Sequence, residues 1–259
     1  MNDVRSNSFP ASWRRIRLIA GHTLGEALHR RLPLLLILTG GALVLGAQGL
    51  RDFNFGTAEL KFIGDFGLGV LGFCGTLLAA LATANLFFAE LENRAAHCVL
   101  TRPVRRWEYV TGKFAGIVTL LTLYVAGLSL VLALVIATRE RQLGVTLAPL
   151  AVFLQACALQ WLKITLVAAM TLLVCSYAGS ALFASGAGLL LALAAHLRGF
   201  AGGGWLRVWP DLSLFDAEAR LASGHPAPGL WLLLLAGYWA AYVLLFVVLA
   251  SHAFKRREF

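Results

Sequence analysis

The stretch PLAVFLQACALQWLKITLVAAMTLLVC, residues 149–175, decides the fold. It is mostly apolar, and its single charged side chain is Lys163. A helix needs about 20 such residues to cross the hydrocarbon core of a bilayer. Because lipid offers no hydrogen-bond partner to a free backbone group, a segment that crosses it must be helical. The stretch therefore predicts a transmembrane helix.

Five more apolar runs accompany this one, so the sequence predicts an all-α polytopic membrane protein with six transmembrane helices. The predicted spans are residues 32–49, 66–88, 113–137, 149–175, 180–197 and 229–250. Of the 259 residues, 59% are hydrophobic and 14% are charged, against about 45–50% and 25% in soluble domains. A single transmembrane domain over residues 1–259 leaves no room for a soluble catalytic domain.

The distribution of basic residues predicts the orientation. The chain has 22 Lys and Arg against 13 Asp and Glu. The N-terminal segment, the loop 89–112 with Lys113, and the C-terminal tail lie on one side of the predicted bundle and hold most of the basic residues. Cytoplasmic segments are enriched in Lys and Arg, so both termini are expected in the cytoplasm. The basic surplus then reflects topology and contact with membrane lipids, and no nucleic-acid partner or metal site is expected.

Two segments outside the spans have distinctive compositions. Residues 12–31 predict an amphipathic helix at the cytoplasmic interface, although a plain basic flank would obey the same charge rule. Its apolar side is expected to hold Trp13, Ile16, Ala20, Leu24, Ala27 and Leu28, and its polar side Arg15, His22, Glu26, His29 and Arg30. The outer loop 198–228 is rich in Gly and Trp. It is expected to re-enter the membrane, to form a short helix near 216–222, or to act as a connector.

The cytoplasmic loop 89–112 carries the most informative pattern, within ELENRAAHCVLTRPVRRWEYVTGKF, residues 90–114. On a helix, one group of its side chains shares a polar, exposed arc. That arc consists of Glu90, Asn93, Arg94, His97 and Thr101. Pro103 ends the element in a corner. Glu92 points the other way, toward the protein, where Arg105 or Arg106 is the nearest cation able to pair with it.

This loop resembles the loop between the second and third spans of type-2 ABC exporter permeases, especially the group assigned to copper-enzyme maturation and gliding motility. The resemblance rests on Glu92-Asn93-Arg94, Val99-Leu100, Arg102-Pro103-Val104, Arg106, Tyr109 and Gly112-Lys113-Phe114. The family usually has a Thr and a large aliphatic residue after the position of Arg94, where this chain has Ala95 and Ala96.

The resemblance implies a function. In that family the loop forms a coupling helix that docks on a cytoplasmic ATPase, and two permeases, identical or paralogous, form the pathway in the bacterial cytoplasmic membrane. The chain has no GxxxxGK[ST] phosphate loop. ATP and Mg are therefore expected in the partner ATPase, with no cofactor and no catalytic residue in this chain.

Within the spans, Lys163 is the residue that calls for an explanation, because a cation at mid-membrane costs about 2.5–3.5 kcal/mol on insertion scales. It is expected either to line the substrate pathway, with Gln155 and Gln160 nearby on the same helix, or to bond a carbonyl or extend toward the interface. Two other functions stay open: a membrane-embedded lipid-modifying enzyme and a non-transporting scaffold. The apolar spans indicate nothing about the substrate beyond a hydrophobic or amphiphilic character.

Overall fold

The computed structural model describes residues 9–46, 49, 59–92, 106–199, 209–216 and 225–255. Over these residues the chain forms seven α-helices and two short 3-10 helices, with no strand. The α-helices are α1 Phe9–His29, α2 Arg31–Gly46, α3 Glu59–Glu92, α4 Arg106–Leu143, α5 Leu150–Tyr177, α6 Ala181–His196 and α7 Gly229–Lys255. The 3-10 helices are Leu197–Gly199 and Leu212–Phe215. The predicted all-α polytopic fold is confirmed.

Four of the helices, α3, α4, α5 and α7, are long and apolar enough to cross a membrane. Helices α1 and α2 are bent by 63° relative to each other, and the pair can be counted as a fifth span. The predicted spans 32–49 and 180–197 correspond to α2 and α6, which have 16 residues each. Since a straight crossing needs about 20 residues, the count of six crossings and the cytoplasmic termini stay predictions.

Helices α3 and α5 form the centre of the bundle. In each of them 67% of the most apolar stretch is buried inside the protein, compared with 11% in α7. Glycines let the two central helices approach closely: a Cβ atom on Gly75 would collide with the Ile164 side chain. Glycine thus serves packing in α3, as is common where lipid-embedded helices associate through small residues.

Local sequence explains the bend between α1 and α2. The backbone N–H of Arg30 donates to the carbonyl of Ala27, 3.2 Å away, as α1 ends. Pro33 then lies in the first turn of α2, where the missing N–H of proline is not needed by the helix. The chain therefore turns at Arg30 and restarts as the apolar α2.

Helix α4 is the longest, and it ends at a glycine. Gly144 has a φ of +66°, and its N–H donates to the carbonyl of Glu140 at 2.9 Å. Glycine adopts this left-handed conformation without the steric penalty of a side chain. The carboxylate of Glu140 then accepts a hydrogen bond from the N–H of Leu147 at 2.7 Å, which fixes the short connection to α5.

Candidate functional site

The coupling loop 89–112 is only partly within the described residues. The backbones of Glu90 and Glu92 form the last turn of α3, and Arg106 is the first residue of α4. The other residues predicted for ATPase coupling lie outside the described part of the chain. These are Asn93, Arg94, His97, Thr101, Pro103 and Arg105. The pairing of Glu92 with Arg105 or Arg106 and the exposed polar arc therefore stay predictions.

Just after the loop, α4 places a fully buried carboxylate in its first turn. The side chain of Glu108 has no solvent exposure, and its Oε1 accepts a hydrogen bond from Nη2 of Arg15 at 3.2 Å. A carboxylate near a helix N-terminus is also favoured by the helix dipole. The contact ties α1 to the beginning of α4.

A buried cation lies one and a half turns further along α4. The Nζ atom of Lys113 donates to the carbonyl oxygen of Leu86 in α3 at 2.8 Å. It also lies 3.8 Å from Oε2 of Glu26 in α1, whose other oxygen accepts from Arg30 at 2.6 Å. Because Lys113 is completely buried, it needs these partners to be tolerated. We call Arg15, Glu26, Glu108 and Lys113 the charged junction.

Close backbone contact holds α1 against α4 at the charged junction. A Cβ atom on Gly112 would lie 2.8 Å from Cβ of Ile19, and one on Gly116 would lie 2.7 Å from Cβ of Thr23. The small residues, four apart, form a groove along α4 into which α1 fits. This groove explains why the charged side chains of the two helices can meet.

The structure shows which side of α1 packs against the bundle. Trp13 and Leu28, expected on the apolar side, are 63% and 55% exposed. Arg15 and Glu26, expected on the polar side, contact α4. Part of the polar side therefore packs against the protein, because its counter-charges in α4 attract it and the glycine groove accepts Ile19 and Thr23. The remaining apolar arc of α1 is left exposed, as suits a helix beside lipid.

An aromatic cluster reinforces the same end of the bundle. The ring of Phe254 in α7 lies 5.7 Å from that of Phe87 in α3 and 5.8 Å from that of Tyr109 in α4, measured between centroids. Aromatic pairs at these distances are stabilising beyond the area that they bury. The helices that border the coupling loop are thus held by apolar and charged contacts together.

A second charged site contains Lys163, near the middle of α5. Nζ of Lys163 donates to Oδ1 of Asp216 at 2.9 Å, and the two side chains are 14% and 41% exposed. Asp216 directly follows the second 3-10 helix, in the predicted outer loop. The lysine therefore pairs with a carboxylate 53 residues away, and its expected contribution to a substrate pathway stays a prediction.

The two glutamines near Lys163 contact backbone groups of other segments and form no hydrogen bond with the lysine. Oε1 of Gln155 accepts the backbone N–H of Ala227 at 2.9 Å. Gln160 is 1% exposed, and its Nε2 makes a long contact of 3.5 Å with the carbonyl of Leu68. Oε1 of Gln160 has no hydrogen-bond partner. The glutamines therefore do not bond Lys163, although Gln160 shares a cavity with it.

That cavity has a volume of about 450 Å³ and lies between α3, α5, α6 and the segment 209–216. Its polar lining includes Lys163, Gln160, His196 and Asp216, and its apolar lining includes Phe73 and Leu193. We call it the Lys163 cavity. It lies away from the coupling loop, toward the opposite end of the bundle, and its size is typical of small-molecule sites.

Sequence reasoning identified Lys163 and Gln160 but missed Asp216, His196 and the charged junction. The signal for the junction was present: Glu108 lies one turn before the small-residue pair Gly112 and Gly116, and Lys113 lies between the two glycines. A charge on the same helix as a close-packing motif will be buried if the partner helix supplies the opposite charge. The partners in α1 are nearly a hundred residues away, so spacing alone gave no indication of them.

These features define a helical membrane protein with buried charges at one end of its bundle and a polar cavity within it. The model of a protein family described as "ABC-2 family transporter protein" matches residues 15–204. Since this is more than half of the chain, the chain belongs to the ABC-2 transporter family. The match confirms the resemblance to type-2 ABC permeases and indicates that the chain is a membrane-embedded transport subunit. Among curated proteins no match was found.

Proposed function

We propose that the chain is the permease subunit of an ATP-binding cassette exporter in the bacterial cytoplasmic membrane. A separate cytoplasmic ATPase would bind ATP and Mg and hydrolyse the ATP, and a second permease, a copy or a paralogue, would complete the pathway. The proposal rests on the family match, which covers the loop 89–112 and the chain from Arg15 in α1 to beyond the end of α6.

The charged junction supports a coupling role for the loop 89–112. Helix α3 leads into the loop and α4 leads out of it. Lys113 joins the two through the Leu86 carbonyl, and both are joined to α1 through Glu26 and Glu108. Because these contacts are buried, a force applied to the loop would move the three helices as a unit. Such a unit can transmit nucleotide-driven movement of an ATPase into the membrane.

An alternative is a membrane-embedded lipid-modifying enzyme. Such an enzyme needs a nucleophile or a general base placed where its substrate binds. The described lining of the Lys163 cavity includes His196 and Asp216, which can act as bases, but it includes no serine or cysteine. The carboxylate among these groups, Asp216, is already paired with Lys163. The arrangement therefore fits a binding site, and absence of any activity on lipid substrates in the purified chain would separate it from an enzyme. A non-transporting scaffold would share the fold but would not change the activity of an ATPase.

The first test asks whether Arg94 contributes to ATPase docking. The chain is co-expressed with candidate ABC ATPases of the same organism, purified through a tag on the permease, and assayed for ATP hydrolysis in lipid vesicles. We expect Arg94→Glu to reduce both the amount of copurified ATPase and its stimulation by about tenfold, the scale of about 1.4 kcal/mol. Arg14→Glu, a charge reversal at an exposed position of α1, is the matched control. Unchanged copurification with Arg94→Glu would remove the docking role of the polar arc.

The second test separates docking from permease stability. If Glu92 points inward and pairs with Arg105 or Arg106, Glu92→Ala should lower the stability of the permease alone by about 3–5 kcal/mol, as for other broken buried ion pairs. Thermal unfolding of the purified permease in detergent measures this. Matching unfolding curves for Glu92→Ala and wild type would disprove the inward pairing and leave the docking proposal intact.

A further inference from the structure

The Lys163 cavity combines a cation that is 14% exposed, unpaired polar atoms and apolar walls. Phe73 and Leu193 on its lining are 68% and 54% exposed. In a membrane these exposed apolar side chains face lipid, so the cavity is open toward the acyl-chain region. A ligand could therefore reach Lys163 sideways from the bilayer, with an apolar chain beside Phe73 and Leu193 and a polar group inside.

The two members of the ion pair are held very differently. Lys163 belongs to the central helix α5 and is 14% exposed, whereas Asp216 is 41% exposed and follows a short 3-10 helix. If the pair opens, Asp216 can be hydrated, but Lys163 stays in apolar surroundings and needs another anion. An acid is the best replacement for Asp216, because it supplies both an acceptor and the opposite charge, whereas a cationic ligand would repel Lys163.

Two further atoms at the cavity lack partners. Oε1 of Gln160 is buried and unpaired on a side chain that is 1% exposed, and Nδ1 of His196 is also buried without a partner. Unsatisfied buried polar atoms are unfavourable and are rarely left so in folded proteins. The amide oxygen accepts hydrogen bonds, so a ligand hydroxyl would satisfy it. The cavity thus suits an acid that also carries a hydroxyl group.

We infer that the Lys163 cavity binds an amphiphile with an acidic head group, a phosphate or a carboxylate, which takes the place of Asp216 on Lys163. The acyl chain lies along Phe73 and Leu193, and a head-group hydroxyl bonds Gln160. This inference deepens the proposed function. Movement of the ligand across the membrane rests on that proposed function. Binding itself involves this chain alone and requires no ATPase.

The binding experiment compares three amphiphiles with the same acyl chain on the purified full-length chain in detergent. The probes are oleoyl-glycerol phosphate, oleic acid and uncharged monooleoylglycerol, and dissociation constants are obtained by titration. We expect at least one of the two acids to bind about tenfold or more tightly than monooleoylglycerol, the scale of a charge-assisted hydrogen bond. The acid that binds more tightly shows whether the cavity prefers a phosphate or a carboxylate head group. Equal affinity of all three probes, or no binding, would overturn the inference.

Variants of the ion pair give opposite expectations. Lys163→Met should remove the preference for the acid, whereas Asp216→Asn should raise acid affinity severalfold because the competing carboxylate is gone. Arg141→Met is the control, since it removes an exposed cation outside the cavity and should change nothing. A merely structural ion pair predicts that both variants bind less. If both lose affinity, the inference is wrong.

A charge exchange keeps the result interpretable if Lys163→Met does not fold. The double variant Lys163→Asp with Asp216→Lys retains an ion pair but moves the cation to the more exposed position. We expect it to fold and to lose the acid preference. If it binds acids as tightly as wild type, the position of Lys163 is irrelevant and the inference fails. Because no ATPase is present, failure here leaves the coupling proposal untouched, and failure of the copurification test leaves this site untouched.

Discussion

The charged junction and the Lys163 cavity both bury ions among apolar helices, but they hold them differently. In the charged junction Glu108 and Lys113 are fully buried and bonded to other helices. In the cavity Lys163 is paired with a partly exposed carboxylate that follows a 3-10 helix. Ions fixed between helices make a stiff connection, whereas an ion whose partner belongs to a loop can exchange it. The first arrangement suits transmission of force and the second suits binding.

Glu108→Ala should show the largest effect. It leaves Arg15 without the buried carboxylate and opens a cavity, so we expect a loss of about 3 kcal/mol in the free energy of unfolding. This is the low end of the range for broken buried pairs, because Arg15 is 34% exposed and can be partly hydrated. Unfolding of the purified permease in mixed micelles measures the loss. A loss smaller than that of Asp216→Asn would reverse the contrast between the two sites.

Lys113→Met should be the next most severe. Methionine fills a similar volume, but the carbonyl of Leu86 loses its hydrogen bond and Glu26 loses one counter-charge. A hydrogen bond from a charged donor is worth about 1.5–3 kcal/mol, so we expect a loss of about 2 kcal/mol, although the Leu86 carbonyl keeps its place in the backbone bonding of α3. The same unfolding assay applies. Wild-type stability would mean that the junction is not stabilised by this cation.

Gly116→Ala should disturb the packing of α1 against α4. The added Cβ would lie 2.7 Å from Cβ of Thr23 and 2.8 Å from the backbone oxygen of Ala20, so α1 must shift. We expect a loss of about 1–2 kcal/mol, within the range for overpacking. Gly127→Ala is the matched control on the same helix, because no atom lies within 4 Å of its Cβ position. It should be neutral or slightly stabilising. Equal stability of the two variants would contradict the close packing.

Asp216→Asn should have the smallest effect on stability, under about 1 kcal/mol, because the carboxylate is partly exposed and the asparagine oxygen still accepts a bond from Lys163. Urea or detergent unfolding without added amphiphile is the measurement. A loss as large as that of Glu108→Ala would show that the cavity is as firmly held as the charged junction, and would make exchange of partners implausible.

Much of the fold could be predicted from the sequence because lipid imposes one rule on every segment. Apolar runs must be helices, and the described parts of all six predicted spans are helical. The membrane rule says less about where a helix begins or ends. Helix α2 begins directly after the turn at Arg30, and α6 passes into a 3-10 helix after His196. Apolar composition indicated neither boundary.

The sites were harder to predict because pairing depends on which helices are neighbours. The cost of inserting a charge singled out Lys163, but the choice of Asp216 rather than the neighbouring glutamines depends on the path of the outer loop. Likewise, an amphipathic pattern located α1 but did not indicate that Arg15 and Glu26 pair with Glu108 and Lys113 of α4. Hydropathy describes how a helix meets lipid, not how it meets another helix.

The length of α4 has a mechanical consequence. Its 38 residues, at about 1.5 Å per residue, make a rod of about 57 Å, nearly twice the hydrocarbon thickness of about 30 Å. Such a rod must project beyond the membrane or tilt strongly within it. The charged junction holds α4 near one end, so a rotation of about 5° about that end would displace the other end by about 5 Å. If the loop 89–112 couples to an ATPase as proposed, a small movement there would become a larger one at Gly144, which directly follows α4.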